Sequence, residues 1–594
     1  MKYFCNPLNI DYRYQFNMDP RVGKLQVCRE AADPSMILFK GKYYIFASMQ
    51  LKVWVSEDLA HWESYKLPED LPLYDYAPDV CVRGDYVYFC ASKREEKCDY
   101  YRTKDVINGP YEKLEGTFPF WDPHVFSDDD GKMYFYWGCS NMTPIYGVEV
   151  DPETMAKIGE VKELIEGHPF EFGYERVGYD NSRFPRSEEE IEKMYQGFVK
   201  KQGIPEEYLP ADVKPLIRGM FSDKPYIEGA WMTKYEGRYY LQYAAPGTQY
   251  NTYGDGVYVG DNPLGPFKPA KNNPYSYKPG GFMTGAGHGS TMKDKEGRYW
   301  HTSTMQISIQ HDFERRVGLW RAGFDSDGEL YCNQRYGDWP MDVSKEDPWA
   351  EPEWMLLSYG KKMTASSYFP GNNPENAVDE NARTWWKANS GNSGEWLVCD
   401  LGEEMDVHAV QINFADDRIT DQKPAGEIRG TSQARWIDDR PHKTRWILEC
   451  SKDGNTWTVL EDKSGADTDL PHDLVVREEG FAARYLKLTV LEVPMNEPAC
   501  ISGFRVFGKG NGEKPEVPEF EAVRTNDLDM TVEVKGQAEG WNILWGNEPE
   551  KLYHSCMTYH PKTRIGALVK GQEYYVRVDA YNENGITHGK TVKL

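Results

Sequence analysis

Asp33-Pro34-Ser35, then an apolar run to Phe39, a turn at Gly41 and the aromatic strand Lys42-Tyr43-Tyr44, make a phrase that this chain repeats. The other copies open Tyr76-Ala77-Pro78-Asp79, Asp122-Pro123-His124, Glu228-Gly229-Ala230 and Gly287-His288-Gly289. They turn at Gly84-Asp85-Tyr86, Gly131-Lys132-Met133-Tyr134, Gly237-Arg238-Tyr239-Tyr240 and Gly297-Arg298-Tyr299-Trp300. Each copy is a polar or acidic opener, a hydrophobic strand, a Gly-centred turn and an aromatic strand. Such a repeat predicts a five-bladed β-propeller. The first strand of each blade lines the axis, so Asp33, Asp122, Glu228 and His288 are expected at one mouth. Three carboxylates gathered from distant parts of a chain form a candidate acid/base site, which points to an enzyme.

Composition narrows the class. At 594 residues the chain has room for two to four domains. Aromatic residues make up 14%, and 53 Gly and 37 Pro suit short strands and tight turns. The formal charge of −25, with no basic stripe, argues against nucleic acid as a partner. No apolar run approaches a membrane span. Met1-Lys2-Tyr3-Phe4-Cys5-Asn6-Pro7 lacks the apolar core and cleavage site of a signal peptide. The 11 cysteines are scattered, with no CxxC pair and no metal-ligand spacing, so a reducing, cytoplasmic location is expected, with secretion the alternative if a signal peptide was removed. Oligomeric state is left open.

The repeat region runs to about residue 345, with one insertion at about 165–222. Within it Ser187, the acids Glu188-Glu189-Glu190 and the stop Gly203 predict a helix. Long insertions serve as binding walls or as surface decoration, and this one suggests a closed pocket. After Trp349 the pattern changes. Residues 355–508 carry alternating strands, among them Glu395-Trp396-Leu397-Val398-Cys399 and Ile501-Ser502-Gly503-Phe504-Arg505-Val506. A polar linker at Lys509-Gly510-Asn511-Gly512 follows, and residues 515–594 read as a small β-sandwich. The expected fold class is all-β: a five-bladed propeller followed by two sandwiches.

The repeat region resembles the family 43 glycoside hydrolases, five-bladed propellers that cleave glycosides with inversion. The resemblance rests on the five openers, on Phe126-Ser127-Asp128-Asp129-Asp130-Gly131 and on Ser56-Glu57-Asp58-Leu59-Ala60-His61-Trp62. Residues 355–508 resemble discoidin-type (coagulation factor type C) domains and the last segment resembles fibronectin type III modules. By the first resemblance Asp33 is the general base, Glu228 the general acid, and Asp122 a third carboxylate that positions the acid and favours its protonated form. Inversion requires base and acid to stand about 6.5–9.5 Å apart, with water between them.

The resemblance also makes Asp79 a sugar-binding residue, although its offset from the turn glycine differs from that of the other acids. His288 matches a histidine that, in part of the family, sits in the pore beside a hydrated cation, often Ca2+. A lone His is more commonly a hydrogen-bonded core residue, and no cofactor is expected to be required. Arg315 is a candidate for sugar hydroxyls or for pairing with the acids. Trp121 and Trp231 are candidate stacking surfaces, with core packing as the alternative. In the discoidin-like segment Trp385 and Trp386 face the same choice, and a buttressing role for that domain is favoured. Ser451-Lys452-Asp453-Gly454-Asn455-Thr456-Trp457 imitates a sialidase Asp-box, but it occurs once and outside the repeat.

The expected activity is exo-acting, inverting removal of terminal L-arabinofuranose or D-xylose from plant-type oligosaccharides. A β-galactofuranosidase or galactanase on the same scaffold, or a non-catalytic carbohydrate binder, are the alternatives. The intact carboxylate set weighs against the last.

Overall fold

The hairpin phrases become blades. In the computed structural model, which describes residues 2–19, 24–69, 71, 76–92, 96–203, 205–211, 213–307, 313–419 and 435–594, five four-stranded antiparallel sheets follow one another along the chain. Their innermost strands are Ala32–Phe39, Tyr76–Arg83, His124–Ser127, Glu228–Tyr235 and Thr284–Lys293. The aromatic second strands, such as Lys42–Ser48 and Arg238–Ala245, bury nearly every residue because a blade is covered on both faces by its neighbours.

Each blade breaks its inner strand near the axis in the same way. One residue per blade takes a left-handed conformation: Asp33 (φ 51), Ala77 (φ 50), Asp122 (φ 49), Gly229 (φ 61) and His288 (φ 51). In four blades strand pairing shifts across that residue, and in the third the strand starts just after it. Such a bulge re-aims side chains. These five residues, and not the acidic openers as a set, occupy equivalent positions. Each stands the same number of residues before the one that closes its hairpin, namely Phe39, Arg83, Asp128, Tyr235 and Asp294. Counting from the turn glycine misaligns the copies because turn lengths differ between blades. Glu228 therefore sits one residue earlier than Asp33 and Asp122, and Asp79 two residues later.

The ring is closed by the N-terminus. Tyr3–Phe4 pairs with Met341–Asp342. The buried Asn6 amide donates to the carbonyls of Leu319 (2.9 Å) and Gly337 (2.8 Å) and accepts from Leu319 N (3.0 Å). One side chain thus joins the first strand to the last blade through three bonds of two segments.

The 165–222 insertion contains helices Glu188–Gln202 and Val213–Gly219. Ser187 and Glu190 cap the first reciprocally, and Gly203 ends it with φ 67. No described residue of the insertion lines the catalytic cavity. The insertion is the platform for the C-terminal unit: Gly173 N donates to Leu568 O (2.8 Å), Phe172 bridges Val569, and buried Arg176 pairs with Asp529. The pocket-closing expectation attached to it is corrected accordingly.

The described strands from Met355–Leu356 to Cys500–Lys509 build one extended β system around Glu395–Phe414 and His472–Glu492, except Arg435–Ile437, which pairs with Arg13–Asp19. Trp385 and Trp386 are buried there, and Trp386 Nε1 donates to Ser367 O (2.9 Å), so they are core residues of that domain. The last unit faces a three-stranded sheet (Glu519–Asn526, Asp529–Lys535, Lys562–Ile565) against a second sheet built on Gly540–Gly546 and Tyr575–Asn582. No helix among the described residues is long and apolar enough to cross a membrane.

Candidate active site

At the mouth of the ring a cavity of about 350 Å³ is lined by residues from the first, third, fourth and fifth blades, among them Asp33, Asp122, Glu228 and His288. Trp121, Tyr226, Phe313 and Arg315 complete much of its wall. The volume lies at the small end of ligand pockets. The bulges bring these residues together, because a left-handed residue turns its side chain out of the strand and towards the axis.

Asp33 sits in a cationic and hydroxyl-rich cradle. Ser48 Oγ donates to its Oδ2 (2.7 Å), Thr304 Oγ1 and Arg315 Nη1 lie 3.5 Å from Oδ1, and His288 Nδ1 is 3.3 Å from Oδ1. Burial pushes this carboxyl up, but Arg315, His288 and the two hydroxyls outweigh it and hold it below the usual carboxylate range. Arg315 is itself fixed by Glu30, through bonds of 3.1 and 2.5 Å to Oε1. Asp33 is thus an anion across the physiological range.

Across the cavity the logic reverses. Glu228 accepts from Tyr253 Oη on Oε1 (2.7 Å) and from Cys139 Sγ on Oε2 (2.9 Å). Donor atoms of Asp122, Cys139 and Glu228 lie within 4.8 Å of one another. Burial, reinforced by the facing carboxylates of Glu228 and Asp33, pushes Asp122 up to about 8 against the pull of His288. The Cys139 thiol is driven well above its ordinary range by burial and by Asp122 and Glu228. Asp122 is therefore the group where a proton is retained at neutral pH.

His288 spans the two sides, with Nδ1 also 3.7 Å from Asp122 Oδ2. Its backbone is pinned by Asp255, which accepts from His288 N (2.8 Å) and Gly289 N (3.2 Å). Burial lowers its proton affinity, but Asp33, Asp122, Glu228 and Asp255 more than compensate and raise it. Among the described residues, the side chains close enough to share an ion are Asp122, Cys139 and Glu228, whose soft thiol is ill-suited to Ca2+. The donors around His288 do not fit a calcium held directly by that residue, and no step is derived through one.

Matching the chain against known proteins identifies two of its parts. Residues 27–177 and 203–330 match the glycosyl hydrolases family 43, and residues 362–439 match the F5/8 type C domain. The chain is a glycoside hydrolase with a family 43 domain. It is 26% identical over 275 residues to a beta-xylosidase of Xylanibacter ruminicola, covering 40% of this chain and 77% of that one. It is 26% identical over 340 residues to xylosidase/arabinosidase 43A of Humicola insolens, covering 50% of this chain and 95% of the relative. A solved structure described as a glycoside hydrolase aligns with 80% of this chain and 97% of its own at 17% identity, with a TM-score of 0.42.

Within the glycoside hydrolase, six of the eight residues singled out from the sequence share the cavity: Asp33, Asp122, Glu228, Trp121, Arg315 and His288. Two do not. Asp79 follows its blade's bulge residue, Ala77, by two positions and points between blades, where Oδ2 accepts from Tyr100 Oη and Val125 N (2.8 Å each) and Oδ1 meets His124 Nδ1 (3.0 Å). Trp231 is buried, donates to Thr291 O (2.9 Å) and packs on the His124 ring at 4.3 Å. Both are inter-blade residues, and the sugar-binding reading of them is corrected.

Sequence reasoning missed Cys139, Tyr253, Ser48 and Glu30. Ser48 and Cys139 follow a recognisable signal, since each ends or just follows the second strand of its blade, beside an opener. Tyr253 and Glu30 lie outside the repeat phrase and left none.

Proposed function

We propose that this glycoside hydrolase removes terminal D-xylose or L-arabinofuranose from plant-type oligosaccharides with inversion, needing no cofactor. Asp33 acts as general base and Glu228 as general acid, while Asp122 holds the proton that the acid side requires. The carrying observation is the opposed surroundings of the two sides of one cavity: Asp33, against Arg315 and His288, is held low, while Asp122, packed with Glu228 and Cys139, is raised to about 8 and keeps a proton on the acid side. An acid/base pair working at neutral pH needs such a separation. The names of the relatives, xylosidase and arabinosidase, support the sugar class, and the small cavity supports action on a chain end.

In this mechanism Asp33 takes a proton from water as the oxygen attacks the anomeric carbon. Glu228 delivers a proton to the departing glycosidic oxygen. Tyr253 and Cys139 each hold one of its oxygens in place. Trp121 and Arg315 line the space where the sugar must sit.

Asp33→Asn and Glu228→Gln test the assignment. Each is expected to lower turnover on the order of 10²–10⁴-fold, with the melting temperature unchanged or raised, since the amides keep the shape. Wild-type turnover in either variant refutes that residue's role. Proton NMR of the first product formed is expected to show the inverted anomer. A retained anomer would instead require a nucleophilic carboxylate about 5–5.5 Å from the acid.

A further inference from the structure

The base Asp33 is connected to the discoidin-like domain through two pairs of consecutive residues. Consecutive residues of a strand point to opposite faces. Arg29-Glu30 ends the strand Lys24–Glu30, and Arg315-Arg316 begins the strand Arg315–Phe324. Arg315 lines the cavity, pairs with the buried Glu30 and reaches Asp33. Arg29 and Arg316 face the other way, into the discoidin-like domain.

That domain closes on both arginines with buried groups. Arg29 Nε bonds Asp469 Oδ2 (2.7 Å), and its Nη1 pairs with Asp416. Thr444 Oγ1 donates to Asp469. Arg316 Nε donates to His472 Nε2 (2.8 Å), while its Nη1 donates to Arg29 O (2.8 Å) and so ties the two strands together. Burial beside Arg316 and Arg29 drives His472 far below its ordinary range. It is therefore neutral, accepting at Nε2 and facing Asn413 Oδ1 (2.8 Å) with Nδ1. Buried charges are costly unless paired; Arg29 finds its carboxylates in the neighbouring domain, and Arg316 stands between the nearby Glu314 (3.5 Å) and that domain's Asp416 (3.8 Å). Moving either one moves the residue beside it, Glu30 or Arg315.

We propose that the discoidin-like domain works in catalysis, its Asp416, Asp469 and His472 clamping Arg29 and Arg316 so that Glu30 and Arg315 are held in register on Asp33. They are positioning residues. The inference rests on Asp33 being the base. The charged and titratable groups facing Asp33 are Arg315 and His288 on one side and Asp122, Glu228 and Tyr253 across the cavity. Of these, Arg315 is the one that the clamp reaches.

The test is the acid limb of the kcat/KM–pH profile, measured on the full chain for Arg315→Gln, Asp469→Asn and Thr444→Val. Arg315→Gln removes the cation that keeps Asp33 ionised, so the limb moves to higher pH. Asp469→Asn is expected to lower kcat about tenfold with KM nearly constant, and to raise the limb by roughly half a pH unit, in the direction of Arg315→Gln. Thr444→Val, which keeps every charge, is expected to move the limb the same way by less, and it decides the matter if Asp469→Asn does not fold. A limb that moves in Arg315→Gln but stays in place in the clamp variants overturns the proposal, even where their melting temperatures fall. A limb unmoved by Arg315→Gln shows that Asp33 is not the reporting base, and then both the functional reading and the clamp fail.

Discussion

At the scale of single residues, the two sides of the cavity differ in what surrounds similar carboxyl groups. Both face the His288 imidazole, but Asp33 also has a guanidinium and two hydroxyls, while Asp122 has two acids and a thiol. Because Asp33 is held below the usual carboxylate range, base function is expected to persist to low pH, and the acid limb of kcat/KM reports its protonation. Asp122 holds its proton up to about 8, so activity is expected to fall as pH rises through that value. Asp122→Asn removes the carboxyl whose coupling with Glu228 keeps a proton on the acid side, so the alkaline limb of the rate profile is expected to shift to lower pH. Its loss of turnover should be smaller on aryl substrates whose leaving group needs no proton, whereas Asp33→Asn should harm all substrates alike. Equal losses on both substrate types with an unmoved limb would make Asp122 a sugar-binding residue.

At the scale of elements, the bulge on each inner strand determines which side chains see the substrate. Left-handed backbone costs a non-glycine residue about 1–2 kcal/mol, and four of the five blades bear that cost. In the fourth blade the position is Gly229, with Glu228 just before it. A Cβ at Gly229 would stand 2.7 Å from His288 Cγ. Gly229→Ala is thus expected to destabilise the protein by roughly 2–4 kcal/mol, adding the backbone cost to a steric one, and to displace Glu228 and His288 together. Thermal melting and kcat/KM both report on it. A variant with wild-type stability and activity would show that this contact is not needed. The bulge also explains where sequence reading succeeded. The openers were legible as repeat units. The one-residue offset of Glu228 and the two-residue offset of Asp79 were not, because hairpin turns of different length hide the true register.

At the scale of the whole molecule, the three β units share buried polar junctions. Arg505 of the discoidin-like domain, buried, bonds Glu380 twice at 2.8 Å and donates to Asp338 O of the propeller's closing segment at 2.6 Å. Arg176 of the insertion is buried against Asp529 of the last unit. Asn542, also of the last unit, donates to Arg335 O. Such junctions leave charges stranded if one unit opens alone. Calorimetry of the intact chain is therefore expected to show one cooperative transition. Separate peaks would mean that the units are stable independently of one another.

The sequence by itself determined the blade repeat, the acidic openers, the capped helix and the change of pattern after the propeller, because turn chemistry, strand alternation and capping are local properties. It also carried the charge balance that argues against nucleic acid. Only the tertiary structure decided which openers share the cavity, since a left-handed bulge and the packing of one blade on the next orient each side chain. It placed Asp79 and Trp231 between blades, brought Cys139 and Tyr253 to Glu228, and set the 165–222 insertion under the C-terminal unit. Distances between residues hundreds of positions apart, such as Arg29 with Asp469 or Arg316 with His472, follow from how whole domains pack, and no local pattern encodes them.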